Sequence, residues 1–310
     1  MKVKPNFFIV GAAKSGTTSL YNYLGQHPDI YFSPIKEPNY FSDDIDISKF
    51  SSIYKRNTFL DIDKYFSKSK LEELQLTFIR NPEYYERLFD AEQDFKLKGE
   101  SSTSYLYSKS ASQNIYSYDP KAKIIVVLRN PMERAFSHYQ MAVRYGYTKL
   151  NFREAIEKDI QQKNKGWGIS ELFIDLGMYY EQLERYFNVF PLNQIKVLLS
   201  DDLKNNTQEG LNECFKFLGV ENLKIEDQEI YNYSTSPRNI WVNYIITRIG
   251  IKKSLKNLIP NFMIKSFFKP TKDRLNRNEF DFLLDIFKED IKRTASLINR
   301  DLNSWLEYKS

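Results

Sequence analysis

Apolar positions along this chain fall into short solid runs and longer periodic stretches, and the two kinds alternate. Phe7, Phe8, Ile9 and Val10 form an unbroken run, the pattern of a strand buried on both faces. Ile124 to Leu128 repeats it, and IKVLLSDDL, residues 195–203, holds a third buried strand. Elsewhere the apolar residues recur at helical spacing: Leu20 and Leu24, then Phe152 to Lys163, Gly177 to Phe190, Thr207 to Leu218 and Glu279 to Leu306. Leu71 to Ile79 and Pro82 to Phe95 also read as helices. Solid strands separated by helices imply a parallel sheet covered on both faces. The expectation is a single α/β domain over residues 1–310, helical from about residue 240 onwards, with its cleft at the strand tips.

Two of those tips carry chemistry. The first run breaks into GAAKSGTTSL, residues 11–20. Gly11 and Gly16 have the five-residue spacing of a nucleoside-triphosphatase loop, but Thr17 stands where that loop has its lysine, and the lysine is Lys14, inside the turn. A strand, a small-residue turn and a helix start aim backbone N–H groups and the positive helix end at an anion, usually a phosphate. Ser15, Thr17, Thr18 and Ser19 add hydroxyls. An ordinary turn with a solvated lysine is the bland alternative, and the strand, the glycines and the hydroxyls together weigh against it.

The second run ends in Arg129, where a triphosphatase more often places the aspartate that helps hold magnesium. A guanidinium there binds phosphate directly. Ser137, eight residues on, can add a hydroxyl to the same group; a structural ion pair is the other reading of Arg129. Two sites on one sheet, each suited to phosphate and neither to a metal, suggest a nucleotide carrying separate 5′ and 3′ phosphates.

Composition narrows the class. The chain has 310 residues with 22 Tyr and 23 Phe, so rings should fill the core and the cleft walls. A net charge of +5 is too mild to announce a nucleic-acid binder. The single cysteine, Cys214, excludes an intrachain disulfide framework, and with only His27 and His138 a multi-histidine metal centre is not expected. MKVKPNFFIVGAA imitates a secretion signal, but cleavage would destroy the glycine turn, and no run approaches a membrane span. A soluble, cytoplasmic protein is the expectation. Asp201 and Asp202 read as a capped turn into a helix rather than a metal site.

Three further stretches stay open on chemistry alone. In IYFSPIKEPNYF, residues 30–41, the prolines favour extended geometry around Glu37, which is either a general base or half of a surface Lys-Glu pair. Trp167, in the loop KNKGWGIS, is a candidate for the acceptor cleft. From Arg248 to Arg277, basic residues are set among Leu, Ile and Phe. That segment, 248–277, reads as a solvated helical pair, with contact to an anionic membrane or an acidic glycan as the alternative.

With these residues in hand, the chain resembles the sulfotransferases that use 3′-phosphoadenosine 5′-phosphosulfate (PAPS), in particular the branch of bacterial and heparan-sulfate-type carbohydrate sulfotransferases. GAAKSGTTSL (11–20), HPDIYFSPIKEPNYF (27–41), GESSTSYLY (99–107) and LRNPMERAFSHY (128–139) carry the likeness. Weaker matches run to INRDLNSWL (298–306), so it spans nearly the whole chain. The resemblance implies a P-loop-like three-layer fold and sulfuryl transfer to a hydroxyl or amine, on a carbohydrate or glycolipid, without a metal. It implies that Lys14 stabilises charge on the bridging oxygen and that Ser15, Gly16, Thr17, Thr18 and Ser19 hold the 5′-phosphate. Arg129 and Ser137 would hold the 3′-phosphate, and Glu37 would be the base, ahead of His27. Arg238 is a candidate for a loop closing over the nucleotide, although the glycine-rich form of that loop is absent. The competing readings are a nucleotide kinase or triphosphatase, opposed by Thr17 and Arg129, and a non-catalytic nucleotide-binding protein of the same fold.

Overall fold

A computed structural model describes residues 4–58, 61–91, 93–226, 235–237, 239–249, 268–270 and 274–308. Strand β1 (Phe7–Gly11) leads through the glycine turn into α1 (Thr17–Leu24), which stops at Gly25. Two short strands follow, β2 (Ile30–Phe32) and β3 (Ile35–Glu37), then helices α2 (Ser52–Thr58) and α3 (Ile62–Phe66). Next come β4 (Leu74–Leu76), α4 (Pro82–Arg87), β5 (Leu97–Ser101), α5 (Ser104–Tyr107) and α6 (Ala111–Tyr118). The second solid run is β6 (Lys123–Leu128), followed by α7 (Pro131–Arg144), α8 (Phe152–Gln161) and α9 (Tyr179–Phe187). The third run gives β7 (Ile195–Leu199), with α10 (Ser200–Asn205) and α11 (Thr207–Leu218) after it. Among the described residues the chain closes with β8 (Thr235–Pro237), α12 (Ile240–Ile249), β9 (Phe268–Pro270) and α13 (Arg277–Ile298).

The main sheet has the order β2-β5-β1-β6-β7, and all of its pairings are parallel. Side chains alternate across it. Phe7, Ile9, Ile125 and Val127 pack with Leu20 of α1 and with Leu211 and Cys214 of α11. Phe8, Val10, Ile124 and Val126 pack on the opposite side with Met132, Tyr179, Leu183 and Phe287. Helices therefore cover both faces, which is why β1 and residues 124–128 of β6 contain no polar positions, whereas β5 buries Lys98, Glu100 and Ser101 beside them. β7 departs from the expectation of full burial: it is the edge strand, and Ile195, Lys196 and Val197 are only half-covered.

Two stretches differ from their helical pattern. Residues 71–79 contain strand β4, paired in parallel with β3 in a separate two-stranded sheet. Leu74 N–H donates to the Pro34 carbonyl at 2.9 Å and Ile79 N–H to the Pro38 carbonyl at 2.9 Å. Partners far away in sequence thus take over the backbone groups that a helix would have used internally. The second stretch, 82–95, keeps its capped start at Asn81, but α4 ends at Arg87 and its side chain bonds back to the carbonyls of Phe66 and Lys68. Trp305 is buried in the same core as Phe8 and Leu128: its carbonyl accepts from Asn130 at the start of α7 (3.2 Å) and its ring meets Tyr179 edge-on. Arg238 and most of the basic segment, 250–267 and 271–273, lie outside the described residues. Among the described residues no helix is long and apolar enough to cross a membrane.

Candidate functional site

β1 and β6 are neighbours, and their pairing runs to Gly11 against Val126, with Ala12 N–H donating to the Val127 carbonyl at 2.8 Å. The glycine turn therefore leaves the sheet beside the end of β6. Arg129, one residue past that end, donates from Nη1 to the Lys14 carbonyl at 3.4 Å. The two cations singled out in the sequence share one rim.

The turn has the backbone such a cradle requires. Lys14 and Gly16 have φ of 70° and 100°, and only glycine takes that region without strain. A Cβ on Gly11 would come within 2.7 Å of the Leu106 Cβ, so α5 presses against the turn from behind. A Cβ on Gly16 would meet nothing within 4 Å, so the front of the turn faces open space. Gly16 caps α1 without a side-chain bond, and the first-turn N–H groups of Thr17, Thr18 and Ser19 point out of the helix start. Ser15 and Thr17 are buried; Thr18 and Ser19 are half-covered.

Positive charge is concentrated behind this space. The Lys14 ammonium is pushed down to about 8 by burial, then by the charges of Arg144, Arg129 and Arg134, while Glu37 pulls the other way. Arg134 is fully buried and pushed down to about 10; it donates to the Phe173 carbonyl and to His138 Nδ1, neither of them a carboxylate. Burial, then Arg134 and Lys14, hold His138 well below its ordinary range, so its ring is neutral. Cations that depress one another in this way mark a place built for an anion.

Of the two readings offered for Arg129, the structure shows the ion pair. Arg129 pairs with Glu133 at 2.9 Å, one turn along α7, as well as bordering the turn. Its own carbonyl is held by Tyr179 Oη at 2.8 Å, and the Asp290 carboxylate of α13 accepts from Tyr179 N–H at 2.7 Å, anchoring the start of α9. Ser137 lies four residues beyond Glu133 on α7, hence on the same helix face, and is half-buried.

Glu37 ends β3 on the same side of the molecule, and the pair it forms with Lys36 is not a surface pair. Lys36 Nζ lies 3.0 Å from Glu37 Oε1, with side chains only 6% and 12% exposed. Glu37 Oε2 accepts from Thr103 Oγ1 at 2.9 Å and from Thr103 N–H at 3.4 Å. Asn39, with φ of 51°, locks the segment from beneath: its side chain donates to the carbonyls of Glu37 (2.7 Å) and Thr77 (2.8 Å). Behind them Glu100 is fully buried and pushed up to about 7 by burial, with the hydroxyls of Tyr85, Tyr105 and Ser102 restraining the rise.

Thr103 and Asn39 are the residues that reading the sequence missed; Lys36 was read as a partner of Glu37, but at the surface. A hydroxyl-rich stretch, 99–108, was visible, but nothing in its spacing indicates which hydroxyl meets Glu37. His27 belongs elsewhere. It sits beyond the far end of α1, with Nε2 3.0 Å from the Glu221 carbonyl and Nδ1 accepting from Asp29 N–H, in a structural turn. Trp167 donates to Tyr54 Oη at 2.7 Å and faces Tyr107, within an aromatic cluster that includes Phe50. Leu76, the register partner of Glu37 on β4, packs in the same cluster, which therefore reaches the strand pair that carries the carboxylate. Among the described residues no group of His, Cys, Asp and Glu is arranged to hold a metal ion.

Comparison with known proteins agrees with this geometry. Residues 4–295 match the family model described as "Sulfotransferase domain". A sulfotransferase crystal structure from Alicyclobacillus acidocaldarius is 30% identical, covers 98% of this chain and all of that one, and superposes with a TM-score of 0.69. Carbohydrate sulfotransferase 15 of Mus musculus is 23% identical over 89% of this chain and 53% of its own length. Bifunctional heparan sulfate N-deacetylase/N-sulfotransferase 1 of Homo sapiens is 29% identical over 70% of this chain and 22% of its own length. The chain thus spans about half, or less, of the length of these curated relatives.

Proposed function

The chain belongs to the sulfotransferase family, and on that premise we propose that it moves a sulfuryl group from PAPS to a hydroxyl or amine of a carbohydrate acceptor. The observation that carries the reading is the shared rim of Lys14 and Arg129, with the open, N–H-lined front of the turn between β1 and α1. PAPS supplies a sulfuryl group already activated by its bond to a phosphate. The chain's own residues supply placement and charge, the two effects that dominate group transfers of this kind.

In this reading the amides of residues 15–18 and the hydroxyls of Thr17 and Thr18 bind the 5′-phosphate, and Ser19 completes the helix start beside them. Arg129 exchanges Glu133 for the 3′-phosphate, with Ser137 beside it. As the bond from sulfur to the bridging oxygen breaks and the bond to the acceptor forms, Lys14 stabilises the charge left on that oxygen. Glu37 receives the acceptor's proton. Thr103 occupies Oε2 with two donors, whereas among the described residues Oε1 meets Lys36 alone, which leaves Oε1 as the oxygen to take the proton in this reading. The carbohydrate acceptor is suggested by the names of the two curated relatives and by the aromatic wall of Tyr54, Tyr107 and Trp167 beside the strand pair that carries Glu37. A kinase or triphosphatase reading keeps the glycine spacing of the turn in its favour, and Thr17 and Arg129 stand against it.

The test is incubation with sulfur-35-labelled PAPS and a panel of desulfated heparan and chondroitin chains. Label should enter at least one glycan, and Glu37→Gln should cut that transfer by about a hundredfold or more. Its affinity for 3′,5′-adenosine bisphosphate should stay within about twofold. Bisphosphate binding without any transfer would make the chain a nucleotide-binding protein instead. Failure to bind the bisphosphate would sink the reading altogether.

A further inference from the structure

Helix α12 is amphipathic in the wrong direction for a helix facing water. Its inner side begins with Ile240 against the core and is polar beyond it: the Asn243 side chain donates to the carbonyls of Val143 (2.8 Å) and Arg144 (3.3 Å), capping the end of α7. Thr247, one turn on, packs so closely on Gly146 that a Cβ there would lie 2.7 Å from its own. The outer side is apolar, with Trp241, Val242 and Ile245 at 56%, 44% and 51% exposure. Soluble helices bury the apolar stripe and show the polar one. Here the two are exchanged, and three neighbouring side chains at helical spacing are left in water.

Charge surrounds that face. Lys149 Nζ sits 4.0 Å from the Trp241 ring centre and 5.5 Å from that of Tyr244, while Arg248 lies 5.1 Å from Tyr244. Arg56 reaches in from α2 to the Arg248 carbonyl at 3.2 Å. From Thr235 to Arg277 the sequence holds ten Lys and Arg and a single carboxylate, Asp273. A Trp-bearing apolar face rimmed by one sign of charge is the arrangement that lies in a membrane interface, rings and aliphatic side chains among the acyl chains and cations at the headgroups.

We propose that the outer face of α12 docks on the surface of a bilayer containing anionic lipid. Val242 and Ile245 argue for lipid over an acidic glycan, because aliphatic side chains offer a sugar neither a hydrogen bond nor a ring to stack on. The uniform positive charge argues against a second copy of the chain, which would bring like charges together. The proposal goes beyond sulfotransfer and does not depend on it.

The experiment is co-sedimentation of the full chain with vesicles of phosphatidylcholine alone and with added phosphatidylserine. Binding should appear with phosphatidylserine, weaken as salt is raised, and shift the tryptophan emission to the blue. The double variant Trp241→Ser, Ile245→Ser should lose about tenfold or more of that binding while melting at the wild-type temperature, since both residues are exposed. Absence of binding to either vesicle would overturn the proposal. So would undiminished binding by the double variant, which would place the contact elsewhere in the basic segment. Variant-sensitive retention on heparin without vesicle binding would name an acidic glycan as the occupant, and variant-sensitive dimerisation would name a second copy. Either result would overturn the bilayer.

Discussion

The molecule gathers positive charge in two places and arranges it differently in each. Around the glycine turn, Lys14 and Arg129 follow the ends of β1 and β6 and Arg134 lies on α7; burial and the neighbouring cations push Lys14 down to about 8, and burial pushes Arg134 down to about 10. Around α12, Lys149, Arg248 and Arg56 lie at the surface against aromatic rings and a carbonyl. Burial makes the first group strong and exacting. Few water molecules screen it, and its backbone N–H groups accept an anion of one shape. Exposure makes the second group weak singly and tolerant of shape, effective only when many charges and an apolar face act together. The lesson is that a mild net charge of +5 conceals two electrostatic devices of opposite character.

The sharpest way to break this contrast is Lys14→Ala. With the cradle's point charge gone, turnover should fall by about a thousandfold or more. A variant that keeps a tenth of wild-type sulfation would remove the first device from the account.

pH separates the two groups next. In the free protein the Lys14 ammonium titrates near 8, below the ordinary lysine range, so its charged form is the costly one. Bisphosphate affinity should be level just below pH 8 and then fall about tenfold per unit above it, as the ammonium loses its proton. Arg134, pushed down only to about 10, keeps its charge through the first unit or so of that fall. Stability of the nucleotide-free protein should move oppositely, rising from about pH 8 towards 10.5, because the unfolded chain then holds the proton that the folded one has released. Lys14→Arg should flatten the calorimetric affinity profile. Vesicle binding through α12 should show no step near pH 8.

Thr103→Val tests whether the carboxylate at the edge of the first group needs its clamp. Removing the hydroxyl on Glu37 Oε2 should lower kcat by about tenfold with little change in KM, and Thr103→Ser should restore it. A loss spread over KM and unrescued by serine would make Thr103 merely structural. The smallest effect belongs to Glu133→Gln. Arg129 would no longer be shared with a carboxylate, and bisphosphate should bind about two- to fivefold tighter by calorimetry.

Much of the donor end was legible because its signals are local. Two strand runs, a glycine turn and the residue after a strand are each contained within about ten positions, and local sterics and burial dictate them. The carboxylate end was legible only in part. Glu37 is visible in KEP, but its partner Thr103 is 66 residues away, and no periodicity links them. The stretch around 74–76 was read as helix for the same reason: its backbone N–H groups donate to the carbonyls of Pro34, Glu37 and Pro38, not to its own neighbours.

The sequence by itself determined that buried parallel strands lead into tips that carry cations, because strand burial and turn conformation follow from nearest neighbours. Only the tertiary structure decided that β1 and β6 are adjacent, that Lys36 and Glu37 are buried together under Thr103, and that α12 turns its polar side inward. Those outcomes depend on which distant surfaces meet, and the free energy of that meeting is written in no short stretch of the chain.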